Sequence, residues 1–281
     1  MKSFFTLISL FFLPTSLGAI DNSVPIYYQS ELPAIKILVG GEEKLVLIDT
    51  GAASLILSLQ KKILQKDGID TKEIQRFKNI EGKEFSYPIW MLKEFSVANI
   101  KFKNTKVQEY VPYGLDIRDE NVSPKPKIQF DGSIGLKFFE GKRVIFDFEK
   151  NKMHFVDSFP KDINSKNWIH FSDTFEFYIQ LDRVRFKSVL DTGTNISFIL
   201  KSSIPSSFSI LLCDFFNMPN NDPWYYIQPK DQQTIFKPIN EPWRLFIRQF
   251  QEPKVHIIIG MDTLKGKRLF LDYIDKKYFI C

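Results

Sequence analysis

The chain has 281 residues, 44% of them hydrophobic and 25% charged, and a net charge of +5. That length suits one large domain or two lobes of roughly 100–150 residues each, with a core that needs neither metals nor disulfides. The basic residues are scattered, with no stripe interleaved with aromatics, which speaks against a nucleic-acid partner.

The first segment, MKSFFTLISLFFLPTSLGAID, has one Lys, an apolar run from Phe4 to Leu13, then Pro14 and small residues. This is the layout of a secretory signal peptide. Residues 1–19 are expected to be removed, with cleavage after Gly18 or Ala19, and the mature chain to be exported, either periplasmic or secreted. The apolar run is too short to span a bilayer comfortably, so no membrane association is expected after cleavage.

The next elements repeat. AIKILVGGEEKLVLIDTGAASLIL (34–57) falls on EFYIQLDRVRFKSVLDTGTNISFI (176–199) at an offset of 142, which aligns Asp49 with Asp191. Alternation at Ile35, Ile37 and Val39 has the period of a strand, and GGEE and DRVR stand where hairpin turns belong. The ends of the halves repeat at a second offset, 125. SIGLKFFEGKRVIFDFEKNKMHF (133–155) matches IIGMDTLKGKRLFLDYIDKKYFI (258–280), aligning Gly135 with Gly260, Arg143 with Arg268 and Asp147 with Asp272. The expected organisation is an N-terminal lobe over 24–157, a polar linker over 158–167 and a C-terminal lobe over 168–281. Both lobes are read as mostly β, with short helices after Gly135 and Gly260. Cys213 and Cys281 both lie in the second half. In an exported chain they could form a disulfide, and two separate thiols are the equal alternative.

Each repeat supplies the same chemistry. A hydrophobic strand carries an aspartate to its end, and Thr-Gly turns sharply after it. The glycine has no side chain, so backbone can approach the carboxylate. Farther along, Ser133-Ile134-Gly135 and Ile258-Ile259-Gly260 are candidates for a support strand behind each loop. Two lobes facing across a pseudo-twofold axis would bring Asp49 and Asp191 together. Two carboxylates that close cannot both ionise, so they share a proton and titrate as a unit. Such a pair activates water and protonates a carbonyl, which is general acid–base peptide hydrolysis. It needs no metal and no cofactor.

These motifs resemble those of aspartic proteases. LIDTGAA resembles the retropepsin form, VLDTGTN the second-lobe form of pepsins, and FDGSIGLKFF and IIIGMDTL the two glycine elements. The resemblance implies a two-lobed, pepsin-like acid-protease fold: two homologous β-barrel-like lobes of retropepsin type related by a pseudo-twofold axis. It implies that Asp49 and Asp191 are the catalytic dyad. Thr50 and Thr192 would interlock to brace the loops, with Gly51 and Gly193 beside them. It implies that the Thr194 hydroxyl donates to the outer oxygen of Asp191, a role that Ala52 cannot play for Asp49. A flap is expected in FKNIEGKEFSYPIW (77–90), turning near Glu81-Gly82, with Ile80 and Phe85 as its apolar contacts. The matching second-lobe segment, 213–233, is rich in proline and aromatics and shows no flap pattern, so a single flap is expected. The partner implied is a polypeptide substrate, and the chain should act as a monomer because it carries both halves. The competing function is an inactive relative that survives as a peptide-binding or inhibitor module.

His154, His170 and His256 are isolated, and neither a Ser/His nor a Cys/His constellation nor a metal-ligand spacing emerges. Asp147 and Asp272 read as hairpin residues and Asp262 as a helix cap.

Overall fold

The computed structural model describes residues 23–52, 55–78, 84–110, 130–160, 163, 168–173, 175–181, 184–200, 204, 208–212, 225–229, 245–248 and 256–281. The proposed signal segment, Cys213, and flap residues Ile80, Glu81 and Gly82 lie outside them. Cys281 is an exposed free thiol. None of the helices among the described residues is long and apolar enough to cross a membrane.

The first half runs β1 (Ser23–Pro25), β2 (Tyr27–Gln29), β3 (Leu32–Val39), β4 (Glu42–Asp49), β5 (Leu57–Leu59), α1 (Lys61–Asp67), β6 (Gly68–Lys78), β7 (Glu84–Val97), β8 (Ile100–Glu109) and β9 (Gly132–Gly135). A 3-10 turn over Leu136–Phe139, β10 (Arg143–Asp147) and β11 (Lys152–Val156) complete it. The second half runs β12 (Ile169–His170), β13 (Glu176–Leu181), β14 (Val184–Leu190), β15 (Phe198–Leu200), β16 (Phe208–Leu212), β17 (Tyr225–Pro229), β18 (Leu245–Arg248) and β19 (Ile257–Ile259). It ends with α2 (Met261–Leu264), β20 (Arg268–Asp272) and β21 (Lys277–Ile280).

Each lobe has its own sheet. In the first the order is β2-β3-β4-β9-β5-β8-β7-β6, in the second β13-β14-β19-β15-β18-β17-β16. The β3–β4 hairpin closes at Val39↔Glu42. Its turn is Gly40-Gly41 at φ +57° and +82°, the left-handed pair that a two-residue hairpin requires. From β4 onward the two sheets match. The aspartate strand pairs in parallel with the glycine-element strand, β4 with β9 and β14 with β19. The glycine-element strand then pairs antiparallel with the strand leaving the aspartate loop, β9 with β5 and β19 with β15. β9 is buried along its whole length, so it is the inner support that the apolar-apolar-Gly pattern suggests.

The long hairpin β6–β7 closes at Lys78↔Glu84, with Phe77 opposite Phe85. This is the hairpin expected over 77–90, and half-buried Phe85 stacks on Tyr87 at 6.3 Å between ring centroids. The second lobe also forms a hairpin at the matching place in its sheet. β16 and β17 pair from Phe208↔Pro229 to Leu212↔Tyr225, flanking the proline-rich segment that shows no flap pattern.

A third sheet, β1-β11-β10-β20-β21-β12, joins the lobes. At its centre the repeat pairs with itself: Arg143 faces Asp272, Ile145 faces Phe270, and Asp147 faces Arg268. Arg143 Nε lies 3.0 Å from Asp272 Oδ2, and the aspartate is buried. Asp147 and Asp272 also cap their own hairpin turns, accepting from the Lys150 and Asp275 amides at 2.8 and 3.1 Å. Phenylalanines fill the core beneath: Phe95 stacks on Phe102 at 4.6 Å, and Phe138 meets Phe139 edge-on at 5.0 Å.

Candidate active site

β4 and β14 end at Asp49 and Leu190, and the chain turns at once through Thr50-Gly51 and Thr192-Gly193. The two turns meet between the lobes. The Thr192 hydroxyl accepts from the Thr50 amide at 3.1 Å and donates to the Ile48 carbonyl at 2.7 Å. Reciprocally, the Thr50 hydroxyl accepts from the Thr192 amide at 3.1 Å and donates to the Leu190 carbonyl at 2.8 Å. Both threonines are fully buried. Threonine suits the place because one hydroxyl can donate and accept at once.

The interlock places each glycine against the other lobe's aspartate. A Cβ on Gly51 would stand 2.4 Å from Asp191 Cγ, and one on Gly193 would stand 2.8 Å from Asp49 Oδ1. Any side chain at either position would displace a carboxylate. Both carboxylates converge on Gly193, whose Cβ would also stand 3.0 Å from Asp191 Oδ1, and each aspartate is half-buried. Asp49 Oδ1 accepts from the Ala52 amide at 3.1 Å, Asp191 Oδ1 from the Gly193 amide at 2.8 Å.

Burial pushes Asp49 well above the ordinary carboxylate range, and the neighbouring charge of Asp191 pushes it further; the Ala52 and Gly51 amides oppose the rise. Burial raises Asp191 as well, against hydrogen bonds from the Gly193 amide, Asp49 and the Gly51 amide. Two carboxylates this close disfavour ionising together.

The glycine elements press on the loops from behind. Gly135 pairs with Asp49 in register, and its Cβ would come within 2.5 Å of the Ala52 carbonyl oxygen. The Gly260 counterpart would lie 2.3 Å from the Ile196 carbonyl oxygen. The Leu136 amide donates to Ala52 O at 3.1 Å, and the Met261 amide to Thr194 O at 2.9 Å.

Thr194 differs from expectation. Its hydroxyl donates to the Ile196 carbonyl at 3.3 Å rather than to Asp191, whose Oδ1 accepts from the Gly193 amide instead. Asp262 is not the cap of α2, since Gly260 stands at that position; it is an exposed residue inside the helix whose carboxylate accepts from the Thr263 amide at 2.8 Å and from the Ser197 hydroxyl, a contact that its sequence position does not announce. Tyr110, just after β8, is a further neighbour. Burial, and then the charge of Asp49, hold its phenol above the usual range. A lone tyrosine carries no motif by which sequence could find it.

Two lobes, each delivering an aspartate on a turn backed by a glycine strand, make a bilobal aspartic-proteinase fold. The aspartic proteinase from Irpex lacteus, a solved structure, has this fold at a TM-score of 0.55 and 12% sequence identity, covering 92% of this chain and 96% of its own. No family model matches the chain, and no curated protein matches it in sequence.

Proposed function

We propose that the protein is an aspartic endopeptidase. The observation that carries this reading is the convergence of Asp49 and Asp191 across the reciprocal Thr50–Thr192 interlock. Asp191, the ionised member, takes a proton from a water held between the carboxylates. Asp49 gives its proton to the carbonyl oxygen of the scissile peptide bond. The water oxygen bonds to the carbonyl carbon, and a neutral gem-diol forms. On collapse one gem-diol hydroxyl returns its proton to Asp49, the C–N bond breaks, and Asp191 passes its proton to the departing nitrogen. No covalent bond to the enzyme forms at any step, and the pair returns to its starting state. The substrate class is an extended polypeptide lying across both lobes, and a single chain suffices because it carries both aspartates.

The test is cleavage of an unfolded protein by residues 20–281 across acid to neutral pH, with and without the inhibitor pepstatin, beside the Asp191→Asn form. Pepstatin-sensitive cleavage that Asp191→Asn abolishes supports the reading. Peptide binding without cleavage at any pH overturns it in favour of a peptide-binding or inhibitor module.

A further inference from the structure

The Asp191 loop is held by a polar network for which the described residues of the Asp49 loop show no counterpart. Ser197, fully buried at the far end of the loop, accepts from the Gly260 amide at 2.9 Å. Its hydroxyl oxygen also lies 2.6 Å from Asp262 Oδ1 and 2.8 Å from Thr263 Oγ1. A serine hydroxyl has one proton and two lone pairs. The carboxylate takes the proton and the Gly260 amide one lone pair, so Thr263 donates into the other. Every hydrogen-bonding position of Ser197 is filled and every direction is fixed. Asp262 in turn accepts from the Thr263 amide at 2.8 Å, while its own amide donates to Asn195 O at 3.0 Å. With Met261 N on Thr194 O at 2.9 Å, the start of α2 grips the loop at Thr194, Asn195 and Ser197.

The first lobe is built otherwise. The two repeat offsets place Leu55 opposite Ser197, and Lys137 and Phe138 opposite Asp262 and Thr263. Leu55 and Phe138 are buried hydrocarbon and Lys137 is exposed. The first lobe's own buried polar pair, Ser58 and Ser133 at 2.9 Å, ties strand to strand rather than strand to loop. Packing of that kind excludes water but leaves rotation free, whereas a saturated hydrogen-bond network fixes orientation.

We infer that Ser197 and Asp262 are positioning residues for Asp191: they fix the orientation of the loop that aims this carboxylate, and touch no reacting atom. The inference rests on the protease reading above and adds a division of labour to it, with the directionally fixed aspartate acting as the base toward water.

The test compares Ser197→Ala, Asp262→Ala and Asp262→Asn in the mature chain. Active sites are counted by pepstatin titration, and backbone amide exchange is followed over residues 191–197 and 45–52. Ser197→Ala and Asp262→Ala should lower kcat per titrated site by about tenfold or more with KM within about twofold, the signature of a misaimed group rather than lost binding. Amide exchange in 191–197 should quicken by about tenfold while 45–52 stays unchanged. Asp262→Asn keeps an acceptor oxygen for the Ser197 proton and should remain within about threefold of wild type in kcat. If Ser197→Ala does not fold, Asp262→Ala, at a side chain that reaches solvent, decides the matter. Unchanged kcat per titrated site together with unchanged exchange in 191–197 overturns the inference, whatever happens to Tm. If the wild-type chain cleaves nothing, the protease reading fails, and the exchange comparison alone decides whether the network holds the loop.

Discussion

Thr192→Val removes one hydroxyl from the centre of the molecule and keeps the volume. It leaves two buried groups without partners, the Thr50 amide and the Ile48 carbonyl, which the hydroxyl meets at 3.1 and 2.7 Å. Leaving a buried backbone group unsatisfied costs about 1–3 kcal/mol, so the loss is about 2–6 kcal/mol. Thr50→Val orphans a different pair, the Thr192 amide and the Leu190 carbonyl, at a similar cost. If the two loops are braced as one unit, the first substitution already loosens what the second would break, and the double variant loses less than the sum of the singles. Thr192→Ser keeps the hydroxyl and should cost about 1 kcal/mol, the value of its methyl group. Urea unfolding at a fixed acidic pH measures all four. A Thr192→Val form within about 0.5 kcal/mol of wild type, the range of ordinary surface changes, would refute the reasoning that the interlock bears load. So would strict additivity in the double variant.

Three other outcomes follow from the structure. Asp49 has its folded pKa raised, so its contribution to stability is complete below the unfolded value and is lost as pH rises through the folded one. Asp49→Asn should therefore melt with wild type near pH 3 and exceed it at neutral pH by at least about 1.4 kcal/mol, one pK unit; parallel Tm curves across pH would contradict this. Ala52→Ser adds a hydroxyl at the residue whose amide already reaches Asp49. It should lower the alkaline limb of the pH–rate profile, where the Asp49 proton is lost, by about half to one unit, the worth of one hydrogen bond, and an unmoved limb counts against it. Tyr278 is fully buried against Phe175 and Phe177, and its hydroxyl has no partner. Tyr278→Phe should raise stability by about 1 kcal/mol or more, and a drop in Tm would show the hydroxyl to be satisfied.

What sequence revealed was whatever repeats in short local strings. Asp49, Asp191 and the threonines between them are legible because each stands on a recognisable strand-to-turn pattern, and their meeting follows from the offset of 142 that their hydrogen bonds span. The glycine elements are legible for the same reason, whereas the β6–β7 hairpin is legible from its turn and from the resemblance. Ser197 is not, because its partners lie 63 to 66 positions away and the repeat misleads, placing Leu55 opposite it. The Thr194 hydroxyl illustrates a different limit. Resemblance identified the residue type, but a hydroxyl can rotate to a local carbonyl, and here it turns to Ile196. The short helix α1 escapes because it carries no side-chain cap at Gln60 and buries only Ile63 and Leu64. β16 and β17 escape because the segment between them is rich in proline, which reads as loop.

The pairing of β10 with β20 around Ile145 and Phe270 is an isologous contact made inside one chain. In a homodimer the residue on such an axis meets its own copy, and every substitution is inherited by both halves at once. Here the axis already joins an isoleucine to a phenylalanine, while the charged ends, Arg143 with Asp272 and Asp147 with Arg268, keep the original symmetry. Covalent linkage has thus separated the fates of the two carboxylates. A change beside Asp49 is not copied beside Asp191, so the two carboxylates can be tuned one at a time.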